Sequence, residues 1–566
     1  MKGVRPNRTR KLSLFLAFLL LFTFPTPVSA LTYQHKPVVA VIDPGHGKDA
    51  EGWGEPGAVG PSGTREDQVN LAIALYLRQF LRQIGIEPVM TRDENSNHYT
   101  HPDIFNRDLV TSLEGRVQRA AQAARASGKT DHSYDFFISI HNNASTSPSP
   151  QARGTMTAYF NPATPEGYSY TPEAALYSSR SYQLARLVQE NIVSRLGSYS
   201  WGVESHNYYV LRRNVLPAIL VEGLFLSNPK EEKLLQQPWV QADIAHAIFQ
   251  AVKNYLGFSR IAGRDRIETA IAASRAGWTT SSTVILAVAT DYPDALAGTP
   301  LAKKFDAPIL LNPPQTLDSR VLAEIKRLKA NKIIILGGSA AISPAVEKSL
   351  RSSLPGATIT RYGGANRYET AAIIARTMLT TPAGTVSTAA TGTPVVLATG
   401  QNFPDALAVG PYAALRGYPV LLVERNKIPA PTTELLRELQ PSVSYLVGGP
   451  AVISSEVEAA VPNPRRVYGQ NRYETAVQVC AVLAGNTSGN AIIIASGDDF
   501  PDALVAGALS SRLGAPLLLT GRSQAPATVT SNLAGMSGTV NRIYFMGGKV
   551  AIEEGVENSI IAAVPK

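Results

Sequence analysis

From residue 263 onward the chain repeats itself three times. GRDRIETA at 263–270 returns as GANRYETA at 364–371 and GQNRYETA at 469–476, and DYPDALA at 291–297 returns as NFPDALA at 402–408 and DFPDALV at 499–505. Two more landmarks follow in each copy: APILL, YPVLL and APLLL, then ILGGSAAIS, LVGGPAVIS and FMGGKVAIE. Arg266, Arg367 and Arg472 stand 101 and 105 residues apart. That period is too long for a solenoid unit and suits a small domain copied three times. Within a copy, β-rich runs such as 283–288 and 332–336 alternate with helical stretches, the pattern of βα units around a parallel sheet. The expected division is 260–360, 361–465 and 466–566, each unit α/β.

The 566 residues are 44% hydrophobic and 17% charged, which excludes disorder, collagen and coiled coil. The net charge of +9 alone invites a nucleic-acid or membrane-surface reading. Its distribution removes that reading. Residues 1–30 hold five basic groups and no acid, followed by the apolar run Leu12 to Phe24 and then Val28-Ser29-Ala30. This is the pattern of a secretory signal peptide, and the run is shorter than the roughly 20 residues that span a bilayer. An exported chain without a stable membrane anchor after cleavage, and with no nucleic-acid partner, is expected. Residues 31–259 carry 20 basic and 22 acidic groups, and residues 260–566 carry 28 and 22, so the mature excess of positive charge lies in the repeats. The single Cys480 cannot form an intramolecular disulfide and sits in an apolar helical stretch, where a buried small hydrophobe is expected.

The first region does not repeat. Its apolar β-branched run at 38–42 leads into Asp43-Pro44-Gly45-His46-Gly47, the run 136–140 leads into His141-Asn142-Asn143, and the run 218–221 ends in Glu222-Gly223. In open α/β sheets the ligand crevice lies at the carboxyl ends of the strands, so these polar groups are expected to converge on one edge. Val69, Ile73, Leu77, Phe80 and Ile84 follow helical spacing, and Thr64 with Asp67 reads as a capping box that puts Glu66 in the first turn. Two histidines and a carboxylate sharing a site suggest zinc with a position open for water, with Glu222 as the base. Spacing alone leaves a second reading open. In it, His46 and His141 are loop and core residues, and Glu66 serves the helix dipole.

With these residues in view, the region resembles the zinc-dependent N-acetylmuramoyl-L-alanine amidases of the Amidase_3 type. The matching segments are VIDPGHG (41–47), GTREDQVNLAIAL (63–75), TRD (91–93), SLEGRVQRA (112–120), SIHNNAS (139–145) and PAILVEGLFLSNP (217–229). The resemblance implies an α/β catalytic domain at 31–259 with a mostly parallel central sheet. It implies His46, Glu66 and His141 as zinc ligands, Glu222 as general base, and Asn143 in contact with substrate or supporting a ligand. The implied reaction is hydrolysis of the amide between N-acetylmuramic acid and the L-alanine of the peptidoglycan stem. The stretch 145–179 is longer than in a compact member and reads first as a solvated surface loop, with shaping or covering the substrate groove left open.

The threefold repeat resembles the type 2 cell wall binding repeats of Gram-positive surface proteins. That resemblance implies three α/β units in a pseudo-threefold arrangement that hold an anionic cell wall polymer through residues 260–566. The expected location is therefore secreted and cell wall associated, in a Gram-positive bacterium. Recurrent Arg266, Arg367 and Arg472, with Asp294, Asp405 and Asp502, are read as packing corners. Two other functions stay open at this point: a glycan hydrolase using Glu66 and Glu222 as paired carboxylates, and a non-catalytic surface adhesin.

Overall fold

The structure, a computed structural model, describes residues 37–48, 54–92, 113–147, 149, 151–163, 167–380, 391–483, 490–536 and 540–564. The leader expected at 1–30 lies outside them. Among the described residues no helix is long and apolar enough to cross a membrane.

The first region runs β1 (Ala40–Pro44), α1 (Glu66–Gln83), β2 (Val89–Met90), α2 (Leu113–Ser127), β3 (Phe136–Asn143), β4 (Thr155–Tyr159), α3 (Ser178–Leu196), β5 (Ser200–Ser205), α4 (Tyr209–Arg212), β6 (Ala218–Phe225), α5 (Pro229–Leu235) and α6 (Pro238–Tyr255). Its strands form one six-stranded sheet in the order β2-β1-β3-β6-β4-β5. Only the β6–β4 pairing is antiparallel. Side chains alternate with the two-residue period of a strand. Ile42, Ile138 and Val221 enter the core under α1, α3 and α6, whereas Val41, Phe137 and Leu220 enter the one under α2 and α4.

Two sequence expectations change here. The N-cap of α1 is Arg65, which makes no side-chain capping bond. Thr64 is instead drawn to α5, where its hydroxyl accepts from Gln236 and its amide donates to Glu232. A tertiary partner has outcompeted the local cap. The stretch 145–179 is also not simply a surface loop, because β4 lies within it, its first four residues buried between β6 and β5.

The second region continues with β7 (Phe258–Ile261), α7 (Arg266–Gly277), β8 (Thr283–Val288), α8 (Gly298–Lys304), β9 (Ile309–Asn312), β10 (Lys332–Leu336) and β11 (Thr358–Tyr362). The second copy gives α9 (Arg367–Leu379), β12 (Val395–Thr399), α10 (Pro404–Arg416), β13 (Val420–Val423), β14 (Ser444–Val447) and β15 (Pro464–Val467). The third gives α11 (Arg472–Leu483), β16 (Ala491–Ser496), α12 (Pro501–Leu513), β17 (Leu517–Thr520), β18 (Arg542–Met546) and α13 (Glu554–Ala563). Each copy builds a four-stranded parallel sheet: β9-β8-β10-β11, β13-β12-β14-β15, and β17-β16-β18-β7. The third sheet thus takes its last strand from the junction between the first region and the first copy, with Phe258 in register with Ile543 and Ile261 with Met546.

Helices α8, α10 and α12 pack on one another about a pseudo-threefold axis. Tyr292, Phe403 and Phe500 meet there, with ring centroids 5.4, 5.5 and 6.3 Å apart. The recurrent charged residues form a cyclic set of corners. Arg266, Arg367 and Arg472 donate to the carbonyls of Ala289, Gly400 and Gly497. Each arginine's charge also acts on the aspartate of the preceding copy: Arg367 on Asp294, Arg472 on Asp405 and Arg266 on Asp502. Cys480 is buried in α11.

The two regions share one continuous apolar core. Only Leu256 and Gly257 separate α6 from β7. Lys253 of α6 is buried and bonds Glu557 of α13 at 2.6 Å, while His246 and Gln250 reach Glu554 at 2.9 and 2.7 Å. Arg260 of β7 also pairs with Glu557.

Candidate functional site

The site sits where β1, β3 and β6 end. His46 follows β1 in a left-handed conformation, φ 60°, that a non-glycine residue adopts at a cost in backbone strain. Buried groups hold the turn in place. Arg116 of α2 donates to the His46 carbonyl at 3.2 Å and to Asp43 at 3.0 Å. Asp43 also accepts from Thr91 at 2.6 Å and Ser139 at 2.7 Å. Burial alone would raise the Asp43 pKa, but Arg116 and the two hydroxyls hold it below the ordinary carboxylate value. Arg92 clamps the same turn through the carbonyls of Pro44 and Gly45, both at 3.0 Å.

Glu66 opens α1 and projects between the histidines. Its Oε2 lies 3.2 Å from His46 Nε2, and its Oε1 lies 3.0 Å from His141 Nδ1. Backbone amides of Ala58 and Asn142 donate to the same carboxylate at 2.8 and 3.2 Å, and Asn70 donates at 3.2 Å. Burial opposes ionisation of Glu66, yet the bonds and charges of His141 and His46 keep its pKa well below the ordinary value. The group is therefore a fixed anion.

Two glycines make this closeness sterically feasible. A Cβ on Gly45 would fall 2.2 Å from the His141 ring, and one on Gly57, φ 68°, would fall 2.4 Å from Glu66 Oε2. The candidate ligand atoms of His46, Glu66 and His141 all lie within 4.8 Å of one another. Two imidazoles and a carboxylate, all on one side and held by outer hydrogen bonds, are a donor set that suits zinc.

Glu222 sits on β6 beside His141 on β3, in register. Its Oε2 is buried without a hydrogen-bond partner. Burial, and then the Glu66 charge, push the Glu222 carboxyl up to about 8. Tyr208 lies near enough for the Glu222 charge, after burial, to raise its phenol pKa. A buried carboxylate with no partner is costly unless it has a proton to move or a ligand to meet. Asn143 closes β3 and accepts from the Ala144 amide at 2.8 Å, standing across from Phe225 rather than among the three ligand candidates.

Sequence reasoning assigned no role to Asp43, Arg92 and Arg116, although each lies in a segment that carried the resemblance. It gave no signal for Ala58, which acts through its backbone, or for Tyr208, which becomes relevant only once the chain brings it beside Glu222.

Comparison with known proteins agrees with this geometry. Residues 40–254 match the family model described as N-acetylmuramoyl-L-alanine amidase. Residues 260–347, 361–458 and 466–557 match cell wall binding domain 2. The chain is 31% identical over 301 residues to N-acetylmuramoyl-L-alanine amidase LytC of Bacillus subtilis, covering 53% of this chain and 57% of that protein. It is 32% identical over 254 residues to N-acetylmuramoyl-L-alanine amidase AmiC of Neisseria meningitidis, covering 40% of this chain and 54% of that one. The chain thus spans little more than half the length of these relatives. Among solved structures, Cwp6 from Clostridium difficile is similar with a TM-score of 0.50 and 28% identity, over 55% of this chain and 48% of the other. The chain therefore carries an N-acetylmuramoyl-L-alanine amidase domain followed by three copies of cell wall binding domain 2.

Proposed function

We propose that the protein hydrolyses the amide between the lactyl group of N-acetylmuramic acid and the L-alanine of the peptidoglycan stem. His46, Glu66 and His141 hold a zinc ion in this reading, and Glu222 is the general base. The observation that carries it is the convergence of those three ligand candidates beside a carboxylate with a buried, unpartnered oxygen. Bound zinc supplies Lewis-acid chemistry, polarising the scissile carbonyl and lowering the pKa of water toward 7.

The chain's own residues do the rest. Arg116 and Arg92 fix the turn that carries His46, Asn70 and two backbone amides fix Glu66, and Glu66 in turn holds His141, so the donor set needs little reorganisation. Burial, with the Glu66 charge adding to it, puts the Glu222 carboxyl at about 8, close enough to neutral pH for it to gain and lose a proton during turnover. There it takes a proton from the attacking water at its Oε2 and returns it to the leaving amine. Tyr208, near Glu222, and Asn143, at the end of β3, border the space for the substrate. The paired-carboxylate reading is disfavoured, because both oxygens of Glu66 are engaged by the two histidines and by backbone amides, which leaves neither free to attack a sugar or activate water.

The proposal extends to the whole chain. Residues 1–30 are a signal peptide, 31–259 the catalytic domain, and 260–360, 361–465 and 466–566 the wall-binding copies. The copies hold an anionic wall polymer, so the enzyme works outside a Gram-positive cell, associated with its wall. The test is product analysis with metal analysis on the full chain. Purified peptidoglycan should yield free L-alanine amino termini and no new reducing ends, and a chelator should stop it. Glu222→Gln should keep one zinc per chain while losing about 10³-fold in rate, and His141→Ala should lose the zinc. New reducing ends, or a fully active Glu222→Gln, would overturn the assignment.

A further inference from the structure

A recess opens beside β6, and neither the three ligand candidates nor Glu222 lines it. It lies between the end of α3, the turn 197–199 that leads into β5, the start of α6 and the segment before β4. Its volume is about 510 Å³, with Leu224 lining it two residues beyond Glu222 on β6. Tyr199 and Trp239 line it and are 55% and 59% exposed. Trp201, 50% exposed, stands at its rim with its ring 5.7 Å from Tyr199. Trp239 and Trp201 are the exposed tryptophans among the described residues, and they fall around this one recess. Large aromatic faces left open to water in this way mark a binding surface.

The recess is also rigid and electrically balanced. Trp201 Nε1 donates to the Arg153 carbonyl at 2.8 Å, and the Thr155 amide donates to Tyr199 at 2.8 Å. The Arg153 guanidinium lies 5.9 Å from the Tyr199 ring centroid. Arg195 pairs with Asp243 at 2.8 Å, and Glu231 accepts from the amides of Gly154 and Phe225 at 2.9 and 2.7 Å. Two arginines are thus matched by two carboxylates, which disfavours a polyanion as the occupant. Flat aromatic faces beside fixed donors and acceptors suit a pyranose, whose C–H face stacks while its hydroxyls hydrogen-bond.

We propose that this recess binds sugar residues of the peptidoglycan glycan strand, away from the amide being cut. The inference rests on the amidase reading for the identity of the strand. The shared strand β6 supplies the link, since it carries Glu222 and, two residues further on, the Leu224 that lines the recess. Binding energy gathered there favours long substrates over short ones.

The test uses the full chain and stem-free oligosaccharides of alternating N-acetylglucosamine and N-acetylmuramic acid, with tryptophan fluorescence and calorimetry as readouts. Saturable binding with a fluorescence change is expected, about tenfold weaker in Trp239→Ala and largely restored in Trp239→Phe. Trp239 is exposed at the start of α6, so these variants should fold, which circular dichroism checks. On polymeric peptidoglycan Trp239→Ala should raise KM by a similar factor with kcat unchanged, and on a soluble single-disaccharide muramoyl peptide it should change neither. Equal oligosaccharide affinity in wild type and Trp239→Ala overturns the proposal, as does competition for the recess by the stem peptide alone. Loss of glycan binding in Trp239→Ala alongside an absence of amide cleavage would uphold the recess and overturn the amidase reading instead.

Discussion

The two halves of the molecule use charge in opposite ways. In the first, charged groups are gathered once, from segments far apart in sequence, around a turn strained at His46. Asp43, Arg116, Arg92 and Glu66 have no second copy, so each alteration falls on the whole site. In the second, one arginine–aspartate corner is built three times around an axis, and a change in one leaves two intact. A site that performs chemistry concentrates its strain and its unpaired groups, whereas a binding scaffold spreads its stabilisation over equivalent corners.

The contrast can be broken, most severely at Gly45. Alanine there would drive a Cβ into the His141 ring, so Gly45→Ala should lower both zinc affinity and hydrolysis by about 10²-fold. Metal competition with a coloured chelator and a product assay read the two effects. Retained zinc affinity would mean that the turn is looser than the geometry indicates.

The boundary between the halves comes next. Lys253→Met leaves Glu557 buried with only Arg260 beside it, and should cost about 3 kcal/mol. Calorimetry should then resolve two transitions where the wild type gives one. A single unshifted transition would show that the apolar contact carries the junction alone.

The smallest effect concerns one corner. Burial raises Asp405 to about 6 against the pull of Arg472. A carboxyl whose folded pKa lies above its unfolded value of 3.8 stabilises the fold below pH 4 and loses that contribution as pH rises through 6. Asparagine does not titrate. Relative to Asp405→Asn, the wild type should therefore lose about 2 kcal/mol between pH 4 and pH 7, seen in paired urea titrations. A constant difference would mean that Asp405 stays ionised throughout.

Much of the site was legible in the sequence because strand-end positions are a local signal. Hydrophobic runs located β1, β3 and β6, and the polar residues following or ending those runs are the ones the fold assembles. Thr64 was misleading because a capping pattern is also local, and the competing Glu232 lies 168 residues away. Tyr208 and the aromatic recess had no periodic signature, since they depend on how loops cross. Repetition revealed three copies, but the destination of β7 was hidden. A strand's own residues specify that it will pair, and the closing of the ring specifies with whom.

That borrowed strand puts a delay into the life of the chain. As synthesis proceeds from the amino end, Phe258 to Ile261 are made about 285 residues before the β18 positions they pair with. Until then the last sheet has no edge to complete, and its closure is a slow, long-range event. A chain cut short within the third copy carries β7 with an unsatisfied edge, open to proteolysis or wrong pairing. The third sheet is therefore closed only when its earliest-made strand meets its last-made one.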